Sequence, residues 1–263
     1  MVVRPEVELH GGALVISDLH LDVEREADVE GFCAWLGAHE GLPELLVLGD
    51  FFEYWIGRSQ AQRPGARRLL AALKALTEAG TGLEVLHGNR DFLLGAAFEE
   101  ATGARVHPAG FVGRLPGGER ALFLHGDELA TRDRAYQTLR FFLRSRPLLW
   151  LAHHLPNATV DALAQRLRTR SRESVPQKSA LATELDAVAC ARMAAAASAS
   201  TVVCGHVHRH RDEEVPGGPR WLVLDAFGEG QRDALQIGED GGLLPVSSTA
   251  AGDYPDAAPH RAT

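Results

Sequence analysis

The sequence predicts a layered α/β protein, and three observations predict it: short apolar runs, helix-like stretches between several of them, and polar or glycine-bearing turns where most runs stop. The runs are residues 13–17 (ALVIS), 45–48 (LLVL), 83–86 (LEVL), 121–124 (ALFL), 201–204 (TVVC) and 221–224 (WLVL). Segments this short, rich in Val, Leu and Ile and bounded by Gly, Asp or Asn, read as strands buried on both faces. Residues 27–39, 66–79 and 181–198 carry the helix-like stretches.

A chain of 263 residues, 45% hydrophobic and 24% charged, has the make-up of a soluble globular protein with a substantial core. The expected organisation is one domain over residues 1–246, with a helical insertion at about 129–198. The small, polar, proline-containing segment 247–263 reads as a disordered tail without a catalytic role. Cys33, Cys190 and Cys204 form no CxxC pair, so neither a disulfide framework nor a thiolate zinc site is expected, and a reducing cytosol is. The first residues lack the apolar core of a signal peptide, and no apolar run approaches the ~20 residues of a membrane span.

The interval 129–198 breaks the alternation: no strand is expected there, and helix-like pieces at 131–145, 148–154 and 158–169 are punctuated by Pro147, Pro156 and Pro176. Between Glu128 and Ala180 it holds ten Arg and Lys residues against three acids, within a chain of net charge −8. A basic module on an acidic body points to an anionic partner, the plain alternative being a solvated helix surface. The net charge itself argues against a nucleic-acid coat, and no nucleic-acid partner is expected.

Polar residues follow the apolar runs in a telling order. After the first comes Asp18-Leu19-His20; after the second, Gly49-Asp50; after the third, Gly88-Asn89-Arg90-Asp91; after the fourth, His125-Gly126-Asp127; after the fifth, Gly205-His206-Val207-His208. In open α/β sheets, ligands collect beyond the carboxyl ends of strands. A single His or Asp there is ordinarily structural; the joint occurrence is not. Oxygen and imidazole donors without thiolates suit divalent Mn, Fe, Zn or Mg. His10, His39, His87, His107, His153, His154, His210 and His260 lack this context and are expected to be structural or exposed.

The series D-x-H, GD, GN, H and G-H-x-H resembles the calcineurin-like metallophosphoesterase superfamily over Asp18 to His208. The resemblance implies a β-sandwich flanked by helices and two divalent ions. One would be held by Asp18, His20, Asp50 and His208, the other by Asp50, Asn89, His125 and His206, with Asp50 as the bridge. Two such cations ~3.5–4 Å apart polarise a phosphoryl group and lower the pKa of a shared water. Asp91 and Asp127 are candidates to fix the imidazole tautomers from behind.

Many superfamily members have His after the Asn; here Arg90 stands there. A leaving phosphate monoester needs little protonation near neutral pH, and a permanently charged guanidinium grips phosphate, so Arg90 tilts the expectation towards a diphosphate. The blocks GDFFEYWIG (49–57), HGNRDFLLG (87–95), HGDELATRDRAYQTLR (125–140) and SRESVPQKS (171–179) resemble the UDP-2,3-diacylglucosamine diphosphatase family of the lipid A pathway. That resemblance covers about residues 14–212. It implies attack on the α-phosphorus to give UMP and 2,3-diacylglucosamine 1-phosphate, with Mn²⁺ as the ion. It also implies Asp50, Asn89, Arg90 and His206 as the catalytic set, and substrate contacts from Asn89, Arg90, Asp133, Tyr136, Ser171, Lys178 and His206.

The apolar residues of the insertion, among them Leu139, Phe141, Phe142 and Leu143, would line an acyl-chain groove or else pack the insertion onto the body. Its arginines would meet an anionic membrane surface, putting the protein peripherally at the cytoplasmic face of the inner membrane, with no obligate protein partner. The sequence departs from the family pattern at Val175, at Arg58 and in the turn Asp225-Ala226-Phe227-Gly228. None is a metal ligand; they bear on acyl length and sugar. Two other readings are a diphosphatase or phosphodiesterase for another nucleotide or nucleotide-sugar, and a non-catalytic scaffold on the same fold.

Overall fold

Alternation within the apolar runs decides the layers. Successive side chains of a strand point to opposite faces, and here both faces are covered. In β2 (Leu14–Ile16), Leu14 and Ile16 join one apolar cluster while Val15 joins another. β3 (Glu44–Val47) divides the same way, Leu45 and Val47 against Leu46. The computed structural model describes residues 3–144, 184–229 and 232–248. Within them lie two six-stranded sheets. In spatial order one comprises β1 (Glu6–Glu8), β6 (Phe111–Arg114), β7 (Arg120–Phe123), β8 (Thr201–Cys204), β10 (Arg220–Val223) and β9 (Arg211–Glu214). The other comprises β12 (Leu243–Val246), β11 (Ala234–Ile237), β2, β3, β4 (Gly82–Leu86) and β5 (Arg105–His107).

Val15, Leu46, Leu48 and Leu86 from one sheet meet Phe111, Phe123, Val203 and Leu222 from the other in a shared interior. Outside, α1 (Glu26–Ala38) and α3 (Pro64–Glu78) cover the second sheet through Phe32, Trp35, Leu69 and Leu73. On the first sheet, α6 (Ala187–Ala197) packs Ala189, Cys190 and Ala194 against Val202, Cys204 and Trp221. The result is the helix-flanked sandwich that the resemblance implied. Short helices α2 (Arg58–Ala61) and α4 (Ala96–Thr102) link strands of the second sheet.

All six predicted runs are strands, each within one or two residues of its expected bounds. The four edge strands, β1, β9, β5 and β12, fall outside those runs. An edge strand needs less apolar surface and tolerates charge, as the EVE of β1 and the RDEE of β9 show. β6 and β11 are interior strands that the runs also leave out.

After β7 a 3-10 turn (Asp127–Leu129) leads to α5 (Arg134–Leu143), shorter than the expected 131–145 because Asp133 caps it, accepting from the Tyr136 amide. Likewise α6 begins later than the expected residue 181, since Asp186 accepts from the Val188 and Ala189 amides. The helices expected at 148–154 and 158–169 lie outside the described residues, as do Ser171, Val175, Lys178 and most of the segment expected to form a tail. Among the described residues, no helix is long and apolar enough to cross a membrane.

β2, β3 and β4 run parallel in one sheet, and β7, β8 and β10 run parallel in the other. Five of these carboxyl ends carry the polar motifs.

Candidate metal centre

Immediately beyond those strands the backbone turns hard. Asp18, His20, Asp50, His206 and His208 have φ of 55°, 50°, 47°, 75° and 50°; among the described residues only Ser198 joins them as a non-glycine at positive φ. Such backbone costs on the order of 1–3 kcal/mol per residue and persists where the surroundings over-determine it. It aims five side chains across the end of the sandwich.

Two glycines let the carboxylates in. A Cβ on Gly88 would lie 2.1 Å from Asp50 Oδ1, and one on Gly205 would lie 2.1 Å from Asp18 Oδ2.

The seven residues expected as ligands come together. Donor atoms of Asp18, His20 and His208 lie within 4.8 Å of one another, and so do those of Asp18, Asp50 and His125. The His20 and His208 Nε2 atoms are 3.2 Å apart, and His208 Nε2 is 3.5 Å from Asp18 Oδ1. His125 Nε2 lies 3.1 Å from Asn89 Oδ1 and 3.7 Å from Asp50 Oδ2. The His125 and His206 ring centroids are 5.0 Å apart.

One carboxylate tests the fit to a cation directly. Asp18 Oδ2 accepts from Ser17 Oγ (2.7 Å) and the His206 amide (2.8 Å), whereas its buried Oδ1 accepts no hydrogen bond. A buried anion held from one side and open towards imidazoles on the other is what a divalent ion fits.

The electrostatics agree. Burial would raise the Asp18 carboxyl, but His208, 3.5 Å from Oδ1, and the field of His125 outweigh that and hold it well below the usual range. Asp50 is raised, by burial and by Asp18 beside it. Burial would lower the His125 imidazole, yet Asp50, Asp18 and Asp127 raise it to about 9. Burial and His125 together push His206 down to about 4. Two anions crowded with imidazoles of opposed tendency make a site that cations stabilise.

The groups behind the donors differ from those expected. Asp91 faces backbone, not imidazole: it accepts from the Gly88 amide (2.7 Å) and the Phe51 amide (2.8 Å), bracing the two loops that carry Asn89 and Asp50. The His125 tautomer is set by the Leu48 carbonyl, which accepts from Nδ1 at 2.9 Å and leaves Nε2 towards Asn89. Asp127 binds α5. Its Oδ2 accepts from Tyr136 Oη and Arg140 Nε at 2.8 Å each and from Arg144 at 2.9 Å, while Arg140 also meets Glu128. Arg132 pairs with Glu184. Three arginines counted towards a free basic surface are therefore spent on neighbouring acids.

Arg90 stands at the rim. Its amide donates to Asp50 Oδ1 (2.9 Å), its carbonyl accepts from the Trp55 amide, and its guanidinium pairs with the buried Glu53 at 2.7 Å. Glu53 went unremarked in the sequence, although it sits within the quoted block 49–57. Tyr136 approaches the centre, its ring near-parallel to His206 at 6.5 Å, whereas Asp133 is the cap of α5. Of the apolar side chains of α5, Leu139, Phe141 and Phe142 are exposed, Phe141 by 74%, while Leu143 is half-buried. The setting of Tyr136, Arg140 and Arg144 at four-residue intervals was the available signal that one face of α5 points inward. In the turn after β10, Asp225 accepts from the His210 amide and Asp233 from the Gly228 amide.

Residues 13–210 match the calcineurin-like phosphoesterase family. The UDP-2,3-diacylglucosamine hydrolase of Pseudomonas entomophila is 38% identical over 231 residues, 87% of this chain and 95% of that protein. The enzyme of the same name from Pseudomonas putida strain W619 is 40% identical over 197 residues, 74% of this chain and 81% of that one. A dimetal phosphatase from Danio rerio superposes with a TM-score of 0.43 at 14% identity, over 89% of this chain and 96% of that one. The chain belongs to the calcineurin-like phosphoesterase family, within its UDP-2,3-diacylglucosamine hydrolase branch, and is a hydrolase.

Proposed function

We propose that the protein hydrolyses the diphosphate of UDP-2,3-diacylglucosamine at a centre of two divalent ions, releasing UMP and 2,3-diacylglucosamine 1-phosphate. The observation that carries the chemistry is the convergence of Asp18, His20, Asp50, Asn89, His125, His206 and His208 from five strand ends onto one anion-rich point, with Asp18, Asp50 and His125 buried and His208 open to solvent. The substrate follows the activity named for the Pseudomonas relatives. Asp18, His20, Asp50 and His208 would hold one ion, and Asp50, Asn89, His125 and His206 the other; Mn²⁺ is the ion we expect. Bound there, such ions supply an activated water and charge stabilisation for attack on the α-phosphorus.

The chain's own residues do the rest. Arg90, one-third exposed and tethered by Glu53, presents its guanidinium beside Asp50, where a diphosphate is gripped rather than protonated. The leaving phosphate monoester departs as a stable anion and needs no acid. Asn89 and His206 face the same point, and Tyr136 stacks behind His206. Substrate contacts from Asp133, Ser171 and Lys178 complete the reading.

The exposed Leu139, Phe141 and Phe142 offer an apolar surface to acyl chains or to the anionic membrane that holds them, which puts the protein at the cytoplasmic face of the inner membrane.

The test is an assay of purified protein with Mn²⁺ and UDP-2,3-diacylglucosamine in mixed micelles, following UMP, beside Asp50→Asn. UMP release by the wild type and its loss in the variant is the expected result. No release, with metal-dependent cleavage of a soluble nucleotide-sugar instead, would replace the substrate and keep the chemistry.

A further inference from the structure

The two halves of the centre are supported differently. Asp18, His20 and His208 rest on the ends of the sheets: Ser17 Oγ and the His206 amide hold Asp18, and the Asp50 carbonyl accepts from the His20 amide at 2.9 Å. The other half meets α5. Asp127, fully buried and two residues beyond His125, gathers Tyr136, Arg140 and Arg144, which lie on one face of the helix over two turns.

From that node three links lead towards His206, Asn89 and His125. The Tyr136 ring stacks on His206. Arg144, while bound to Asp127, also donates to the Gly88 carbonyl at 2.8 Å, one residue before Asn89. Asp127 itself continues the chain from His125. No hydrogen bond ties Asp18, His20 or His208 to α5 among the described residues.

α5 has no buried residue, and among the described residues this polar node, with Gln137 donating to the Asp127 and Ala130 carbonyls, is what docks it. Whatever fixes the helix therefore also fixes Asn89 and His206.

We propose that Asp127, Tyr136 and Arg144 are positioning residues that set the affinity of the Asn89–His125–His206 half for its divalent ion, while the Asp18–His20–His208 half loads independently of α5. The inference rests on the dinuclear reading of the seven donors. Without Arg144 the Gly88 carbonyl loses its clip and the Asn89 loop gains freedom, so that its oxygen is no longer pre-aimed. Losing such outer partners weakens metal binding about 10–100-fold.

The experiment is Mn²⁺ titration of the full chain by calorimetry, with electron paramagnetic resonance to tell a spin-coupled pair from a single ion. It is run on wild type, Arg144→Ala and Tyr136→Phe, each with a thermal melt. Wild type should bind two ions. Arg144→Ala should keep the first within about twofold and weaken the second about tenfold or more, with the coupled signal fading in step. Tyr136→Phe, which keeps the ring and removes one hydroxyl, should move the second ion alone and by less; it carries the comparison if Arg144→Ala does not fold. Equal weakening of both ions, or an unchanged second ion, overturns the proposal. Fewer than two ions on wild type would instead overturn the dinuclear reading beneath it.

Discussion

In the sandwich, β8 buries all four of its residues, and Phe32 on α1 sits 5.5 Å from both Trp35 and Phe51, ring centroid to centroid. Helix α5, ten residues long and beside the same centre, buries none and turns Phe141 and Phe142 outward. One region is held by apolar area removed from water, which is non-directional and spread over many residues. The other is held by a few directional polar bonds centred on one carboxylate. The body can therefore tolerate strain at five ligand positions, whereas α5 can be loosened by changing a single side chain.

The sharpest break in that comparison is Phe32→Ala. It should cost about 3–5 kcal/mol of global stability, read as a lower melting temperature with a single transition. A loss under about 1 kcal/mol would mean that the aromatic cluster is not what anchors α1. Next, Asp127→Ala removes the acceptor that Tyr136, Arg140 and Arg144 share and should cost about 1–3 kcal/mol. Hydrogen exchange should show that loss confined to α5 and the Gly88 loop, and uniform loss of protection would erase the distinction between the two regions.

A pH series probes the centre itself. In the metal-free protein, His125 is raised to about 9, so its contribution is complete below the unfolded value of about 6.5 and is lost as pH rises through about 9. A bound ion requires the neutral imidazole and displaces that proton. Apparent Mn²⁺ affinity should thus climb across the same window, by up to about tenfold per pH unit for one proton released. Calorimetry in buffers of different ionisation enthalpy would count the protons, and zero release would contradict the assigned charge.

The smallest effect on stability is expected from Phe141→Ser, within about 0.5 kcal/mol because the side chain is exposed. The same variant should weaken binding to anionic vesicles if α5 meets a membrane.

Much of this was legible in the residues. Runs such as TVVC and LLVL are apolar enough to declare strands without context, and the motif after each of five strands named all seven candidate donors. RDEE in β9 could not be read so, because a strand at the edge of a sheet needs only its pairing partner, here β10. The insertion misled for another reason. Its arginines were counted as free charge, yet Arg140 and Arg144 are bound by Asp127, just ahead of the counted interval. A charge count sums residues; it does not know which acids are buried beside which bases. The Leu48 carbonyl left no sequence trace either, since every residue carries one.

By itself, then, the sequence determined the layers and the chemical identity of the donors. Hydrophobic periodicity and residue type are local properties, and they survive reading one residue at a time. Only the tertiary structure decided which donors share a neighbourhood, which carboxylate oxygen stays open, and that half of the centre leans on α5. Those depend on distances between residues far apart in the chain, such as the 2.8 Å between Arg144 and the Gly88 carbonyl, and only the folded arrangement sets them.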